Sequence, residues 1–303
     1  MKINSGEIVK TMRREMGLSQ ESLAEQLFIS VRQLARIESG EASMDVWQFI
    51  SALELLGRPT EDFWLLYLSS SEYAGYRDFK RLKRQLKNGD ISDIKEAISN
   101  IKNGPLIKQP FIMQLVAMLE ILIRTDASPS TTMVEELLNV LRMSKPLFDE
   151  AKISTYRMTY NEIYTVLSIA ECLATLNEHS RAVSMIQAII TGRENAHVSE
   201  EDKGAIFPAL YFSLARTLSS WGKFGEGLKA CHNALEVCRE FNNMKNIPDI
   251  LRFAAICQHR LGEEEHVYKT YFIRAYHSAY ALGRNDTAKA IKEEVEKEYG
   301  LSI

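Results

Sequence analysis

The sequence predicts an all-α fold: a bundle of five short helices, then a solenoid of repeated helix pairs. Three observations carry this. Apolar residues recur at helical spacing through most of the chain, and no convincing run alternates with the two-residue period of a strand. Helix breakers are sparse, with 7 prolines and 15 glycines in 303 residues. Three stretches, beginning at Tyr164, Leu210 and Ile250, share one pattern of small, bulky and turn residues.

The N-terminal elements follow in order. The first helix runs near Gly6–Met16 and stops at Gly17, a residue suited to a left-handed cap. Ser19 is a good N-cap for the second, whose Leu23, Ala24 and Leu27 share one face. A turn is expected at Phe28–Ile29. Ser30 then caps a third helix, Val31 to Glu38, which ends at Ser39-Gly40. Leu34 and Ile37 point to the core, whereas Arg32 and Arg36, four apart, share the opposite side. The fourth helix, MDVWQFISALELLG, sets Val46, Phe49, Ile50, Leu53 and Leu56 on one stripe. A fifth, RPTEDFWLLYL, starts after Arg58-Pro59 with Thr60 as its cap. These elements define a domain over residues 1–68 and a linker over 69–75.

From 76 to 303 the pattern changes to helix pairs. In the three similar stretches a small residue (Ala170, Ala215, Ala255) is followed seven positions later by a turn residue (Asn177, Gly222, Gly262). A second amphipathic helix comes next: Ala182 and Ile186 fit its small-then-bulky order, as does Ala234 in the following copy, where Gly227 and Cys231 match less well. The repeats are spaced by 45 and 40 residues. Earlier segments around 79–101 and 111–141 read as degenerate copies, for about five pairs ending near Leu282. The polar stretch RNDTAKAIKEEVEKEYG suits the capping helix that a repeat stack needs at its end.

Composition narrows the function. The chain is 46% hydrophobic and 25% charged, which fits a folded, soluble protein. No apolar run reaches the roughly 18 residues of a membrane helix, and the N-terminus lacks a signal-peptide core. Cys172, Cys231, Cys238 and Cys257 form no CxxC pair, so buried reduced thiols in the cytoplasm are expected rather than disulfides or zinc. The net charge is −3, and residues 1–66 hold seven Lys/Arg against ten Asp/Glu. That is a poor footprint for nucleic acid unless Arg13, Arg14, Arg32 and Arg36 gather on one face. The basic stretch YRDFKRLKRQLK (76–87) reads as a solvated helix face. GKFGEG (222–227) lacks the Lys-Ser/Thr of a phosphate loop and reads as a turn. GEEEH (262–266) has no second histidine for a metal. No nucleophile–base pair is recoverable, so neither an enzyme nor a cofactor is expected.

The stretches LSQESLAEQL, ISVRQLARIESG and ALELLG resemble the Xre/Cro-type helix-turn-helix of bacterial and phage repressors over about 60 residues. The later pairs look like degenerate tetratricopeptide (TPR) repeats, longer than the usual 34-residue unit. Together they resemble the RRNPP group of Gram-positive peptide-pheromone-responsive regulators, with its Rgg-, PlcR- and PrgX-type members. The resemblance implies a cytoplasmic homodimer, a double-stranded DNA operator of inverted-repeat form, and a short signalling peptide in the concave groove, as in quorum sensing. Carried over by position, Val31, Arg32, Gln33 and Arg36 would face bases, while Ser19, Gln20 and Ser30 would hold phosphates.

Counting from each small residue, Tyr164, Leu167 and Glu171 face inward, as do Phe212, Arg216 and Ser219, then Arg252, Ile256 and His259. Asn161, one turn before Tyr164, has an amide that can both donate to and accept from a peptide backbone. Gln114 is a further candidate in an earlier pair. Two other functions fit the same pattern: a ligand-independent repressor whose repeats only dimerise, and a TPR adaptor that sequesters a protein.

Overall fold

The computed structural model describes residues 5–44, 46–56, 78–79, 81–82, 84, 94–108, 110–124, 128–196 and 198–303, without the side chains of 46, 47, 50, 54, 105, 106 and 201. It is all-α, with no strand among the described residues. The chain divides into two compact units, residues 1–82 with 99–107 and residues 83–98 with 108–303.

The head contains α1 (Ser5–Glu15), α2 (Gln20–Gln26), α3 (Val31–Glu38) and α4 (Val46–Leu55). Ser19 and Ser30 are the N-caps of α2 and α3, accepting from the backbone N–H of Ser22 and Gln33, each at 3.1 Å. Val9, Leu23, Ala24, Leu34, Phe49, Ala52, Leu53 and Leu56 form one buried cluster, with Met12, Leu27 and Ile29 packed at its edge. The expected stripe on the fourth helix is thus present at Phe49, Leu53 and Leu56; the side chains of Val46 and Ile50 lie outside the described residues. So do the fifth helix and most of 76–87.

After α5 (Ile94–Asn103), the helices come in pairs: α6 (Pro110–Leu122) with α7 (Thr131–Arg142), α8 (Tyr160–Thr175) with α9 (His179–Thr191), α10 (Glu200–Ser220) with α11 (Phe224–Glu240), and α12 (Ile247–Arg260) with α13 (Glu265–Ala281). A single helix, α14 (Asn285–Tyr299), closes the stack against α13. From α6 onward each helix packs on the next, and first helices of successive pairs also touch, α6 on α8, α8 on α10 and α10 on α12. That pattern is a solenoid.

The repeat signature works as its residues suggest. Ala170, Ala215 and Ala255 are fully buried, where the absent bulk lets helices approach. Asn177, Gly222 and Gly262 all adopt left-handed backbone, φ 65°, 81° and 79°. In each turn the next residue's N–H reaches back to a helix carbonyl: Glu178 to Leu173, Lys223 to Leu218, Glu263 to Gln258. This is the Schellman closure, which reverses the chain into the second helix. All four cysteines are buried and free.

Two features lengthen the units beyond the common repeat. A 3₁₀ segment, Glu150–Thr155, packs on α9, where the Arg181 guanidinium holds Glu150 through bonds of 2.9 and 2.6 Å. The helix α10 runs for 21 residues through Pro208. Proline has no N–H, so the carbonyl of Gly204 loses its intrahelical donor. Asn243 Nδ2, from the loop before α12, supplies one at 2.6 Å.

Candidate nucleic-acid interface and groove

The head presents its polar residues on two sides of α3. On the inner side Glu38 is nearly fully buried and receives Arg13 Nε at 2.7 Å, Arg13 Nη2 at 2.8 Å and Gln20 Nε2 at 2.7 Å. Burial alone would raise the Glu38 carboxyl, but the hydrogen bonds from Arg13 and Gln20 outweigh it and hold it below its usual value. This network ties α1, α2 and the end of α3 together.

On the outer side Val31, Arg32, Gln33 and Arg36 are exposed, as the four-residue spacing predicts. Arg32 pairs with no carboxylate among the described residues. Arg36 lies 3.7 Å from Glu41, and both are well exposed, so the pair is weak and easily exchanged for an anion. Ser19 and Ser30 are exposed caps: their oxygens are occupied, yet each hydroxyl keeps a proton to donate. Gln20 is half-buried; its amide nitrogen spends one N–H on Glu38 and keeps another.

In the repeats a groove runs along α8, α10 and α12. One cavity, about 280 Å³, is walled by Tyr160, Tyr164, Leu167 and Phe212 and edged by Lys245, Asp249 and Arg284. A larger one, about 540 Å³, is lined by Arg216, Phe253, Ile256 and Arg260 among others. Glu171, Ser213 and Arg216 border both, so the groove is continuous through them. The larger volume falls in the range of small-ligand sites, and the smaller lies just below it. Ser213 Oγ donates to Glu171 Oε1 at 3.1 Å, and Arg216 is 4.0 Å from the same oxygen. Arg284 Nη1 bridges Asp249 at 2.9 Å and the Lys245 carbonyl at 3.0 Å. Burial, with Arg284 beside it, holds the Lys245 ammonium below its usual pKa. Burial pushes the Tyr164 phenol up, with the charge of Glu171 adding to it, so it stays neutral.

Seven of the eleven groove residues expected from the sequence line these cavities: Tyr164, Leu167, Glu171, Phe212, Arg216, Ser219 and Ile256. The other four line neither. Gln114 is buried, with its amide nitrogen donating to the Val140 carbonyl at 3.1 Å and to Ser144 Oγ at 2.8 Å. Asn161 is 8% exposed and donates to the Phe111 carbonyl at 2.8 Å. Arg252 grips Glu294 of α14 with two bonds, and His259 packs edge-on to Tyr268 and Tyr299, at 5.1 and 4.9 Å.

In α12 the groove-facing set is Phe253, Ile256 and Arg260, so Phe253 and Arg260 each fall one residue later than Arg252 and His259. One residue is about 100° of helix rotation, enough to hand Arg252 and His259 to α14. The spacing of Phe253, Ile256 and Arg260 was a readable signal for them. Lys245 and Arg284 had none, because they come from loops.

Residues 9–63 match the Helix-turn-helix family. Among solved structures, Bacillus thuringiensis PlcR in complex with the peptide PapR7 and DNA has a TM-score of 0.70 at 18% identity, covering 95% of this chain and 99% of that one. ComR from S. thermophilus, in complex with DNA and its signalling peptide ComS, has 0.61 at 17%, covering 95% and 97%. The SHP pheromone receptor Rgg2 of Streptococcus dysgalactiae has 0.55 at 15%, covering 97% and 99%. A comparison with curated protein sequences gave no match. No helix among the described residues is long and apolar enough to cross a membrane. The chain carries a helix-turn-helix domain and has, over nearly its full length, the all-helical fold of the PlcR, ComR and Rgg2 structures.

Proposed function

We propose that this chain is a sequence-specific transcription regulator whose DNA affinity is set by a short signalling peptide bound between α8, α10 and α12. The observation that carries the reading is the union, in one chain, of a helix-turn-helix with Arg32, Gln33 and Arg36 exposed on its second helix and a groove with aromatic walls and charged edges. The second helix of such a motif enters the major groove. Arginine forks there match guanine O6 and N7. Ser19, Gln20 and Ser30 donate to phosphates alongside. In the repeats, Tyr164 and Phe212 form apolar walls, and Arg216 with Arg260 offers guanidinium groups to a peptide carboxylate. PlcR and ComR, which share the fold, were each solved with DNA and a peptide.

The working form is a cytoplasmic homodimer on an inverted repeat, because one small head buries too little surface for a specific site. The head spans 1–68 and the peptide-binding and dimerisation domain 76–303, joined by 69–75. The peptide acts by binding one arrangement of the repeats better than another. A differential of about 1–3 kcal/mol changes operator affinity roughly 5–150-fold.

The test pairs calorimetry against a peptide co-purified from cells with operator titration. Arg216→Ala weakens peptide binding roughly 10- to 150-fold, the loss of a charged hydrogen bond, and keeps peptide-free DNA binding. Arg36→Ala does the reverse. Arg216→Ala binding peptide as tightly as the parent would remove the groove assignment. Operator affinity unmoved by any co-purified peptide would favour the ligand-independent repressor.

A further inference from the structure

The turn between α2 and α3 contains a residue that the fold does not need. Phe28 sits in left-handed backbone at φ 55°. Its N–H donates to the Glu25 carbonyl at 3.1 Å, and the N–H of Ile29 donates to Ala24 at 3.0 Å. This is the same Schellman closure that ends α8, α10 and α12. There the left-handed position is Asn177, Gly222 or Gly262, residue types that adopt it readily. A bulky aromatic there is strained.

Nor does the ring repay the strain through packing. Phe28 is 96% exposed, and Ile29, the next residue, supplies the apolar contact to the head's core. Glycine at this position would relieve the backbone and remove an apolar surface from water. Strain that the fold does not require is a pointer to function.

The location names the occupant. Phe28 stands two residues before Ser30, the N-cap of α3, and Val31 at the first turn of α3 is 38% exposed. Arg32 and Gln33 follow directly. The N-terminal residues of this helix are the ones that meet base edges in a helix-turn-helix complex. Those edges in the major groove carry donors, acceptors and one apolar group, the 5-methyl of thymine. Resting on the DNA-binding reading above, we propose that Phe28 is a specificity-determining residue that packs its ring on a thymine methyl at the rim of each half-site.

The experiment uses the full chain and a duplex enriched by the parent protein from a randomised pool. Phe28→Gly is expected to raise the melting temperature of the head and to weaken binding to that duplex. Replacing the contacted thymine with deoxyuridine, which lacks only the methyl, is expected to cost the parent roughly fourfold, the transfer value of one buried carbon. It should leave Phe28→Gly unaffected. Because the variant is expected to fold better, lost affinity cannot come from unfolding. Equal affinity of parent and variant, an equal deoxyuridine effect in both, or a changed association state with unchanged DNA affinity would each overturn the assignment of Phe28 while the DNA reading stands. A parent that enriches no sequence overturns both.

Discussion

In the head, Arg13, Gln20 and Glu38 meet on the inner side of α3 while Arg32, Gln33 and Arg36 stand in solvent on the outer side. In the repeats the division is less clean. Arg216 and Glu171 face the groove, but Gln114, Asn161 and Arg252, polar residues of the same kind of helix, hold neighbouring backbone or side chains. A short helix packed on one side has only two environments, and a 3.6-residue period separates them. A solenoid helix has neighbours on several sides, so a polar residue off the apolar stripe can be bound by the next helix as readily as it can line a groove.

The sharpest way to break this comparison is to attack the inner network of the head. Glu38→Ala leaves the Arg13 guanidinium buried without its carboxylate, a loss of about 3–5 kcal/mol. That is enough to unfold a small domain. Residue-resolved hydrogen exchange should lose protection across α1–α4 while α8–α14 keep theirs. Retained protection in α3 would show the pair to be dispensable. The pH dependence has a fixed sign. Glu38 titrates lower in the fold than the 4.5 of a free glutamate. Its contribution is therefore present above pH 4.5 and is lost as pH falls through the lower folded value. Glu38→Gln should flatten that acid limb.

A smaller effect tests the repeat packing. Gly227 and Gly225 lie two residues apart in α11. A methyl at Gly227 would come within 2.4 Å of Ser219 Oγ and 3.1 Å of the Ala215 carbonyl, whereas one at Gly225 meets nothing within 4 Å. Alanine gains up to about 1 kcal/mol over glycine in a helix, but overpacking costs about 1–3 kcal/mol. Gly227→Ala should therefore lower the melting temperature and Gly225→Ala raise it slightly. Two shifts of the same sign would mean that close approach of α10 and α11 is not what fixes the glycine.

How much of this was legible follows from the same contrast. Both serine caps, the bounds of α3 and its outward arginines could be read, because cap chemistry and period act locally. The buried alanines and left-handed turns of three repeats could be read too, because repetition reinforces a weak signal. The Arg13–Glu38 pair joins residues 25 apart, and nothing in their spacing announces it. In the groove, Arg252 and His259 lie one helical position away from the groove-facing residues, since their orientation depends on Glu294 and Tyr299 of α14, about forty residues on. Phe28 was legible only as a turn; its strain and exposure needed the backbone.

The smallest effect probes how the groove's loop edge is held. Pro208 deprives the Gly204 carbonyl of its helical donor, and Asn243 Nδ2 replaces it. Asn243 Oδ1 also accepts from the N–H of Lys245, whose own carbonyl receives Arg284. One asparagine thus joins a helix defect to the loop that edges the smaller cavity. Asn243→Ala removes two hydrogen bonds, and the one to Gly204 is worth about 1 kcal/mol net. If the defect is the reason for the asparagine, the cost is not additive. In a Pro208→Ala background residue 208 regains an N–H for Gly204, so Asn243→Ala should cost distinctly less there. A double-mutant cycle by urea denaturation measures the difference. Coupling indistinguishable from zero would mean that Asn243 serves only its own loop, and the groove edge would then owe nothing to the proline.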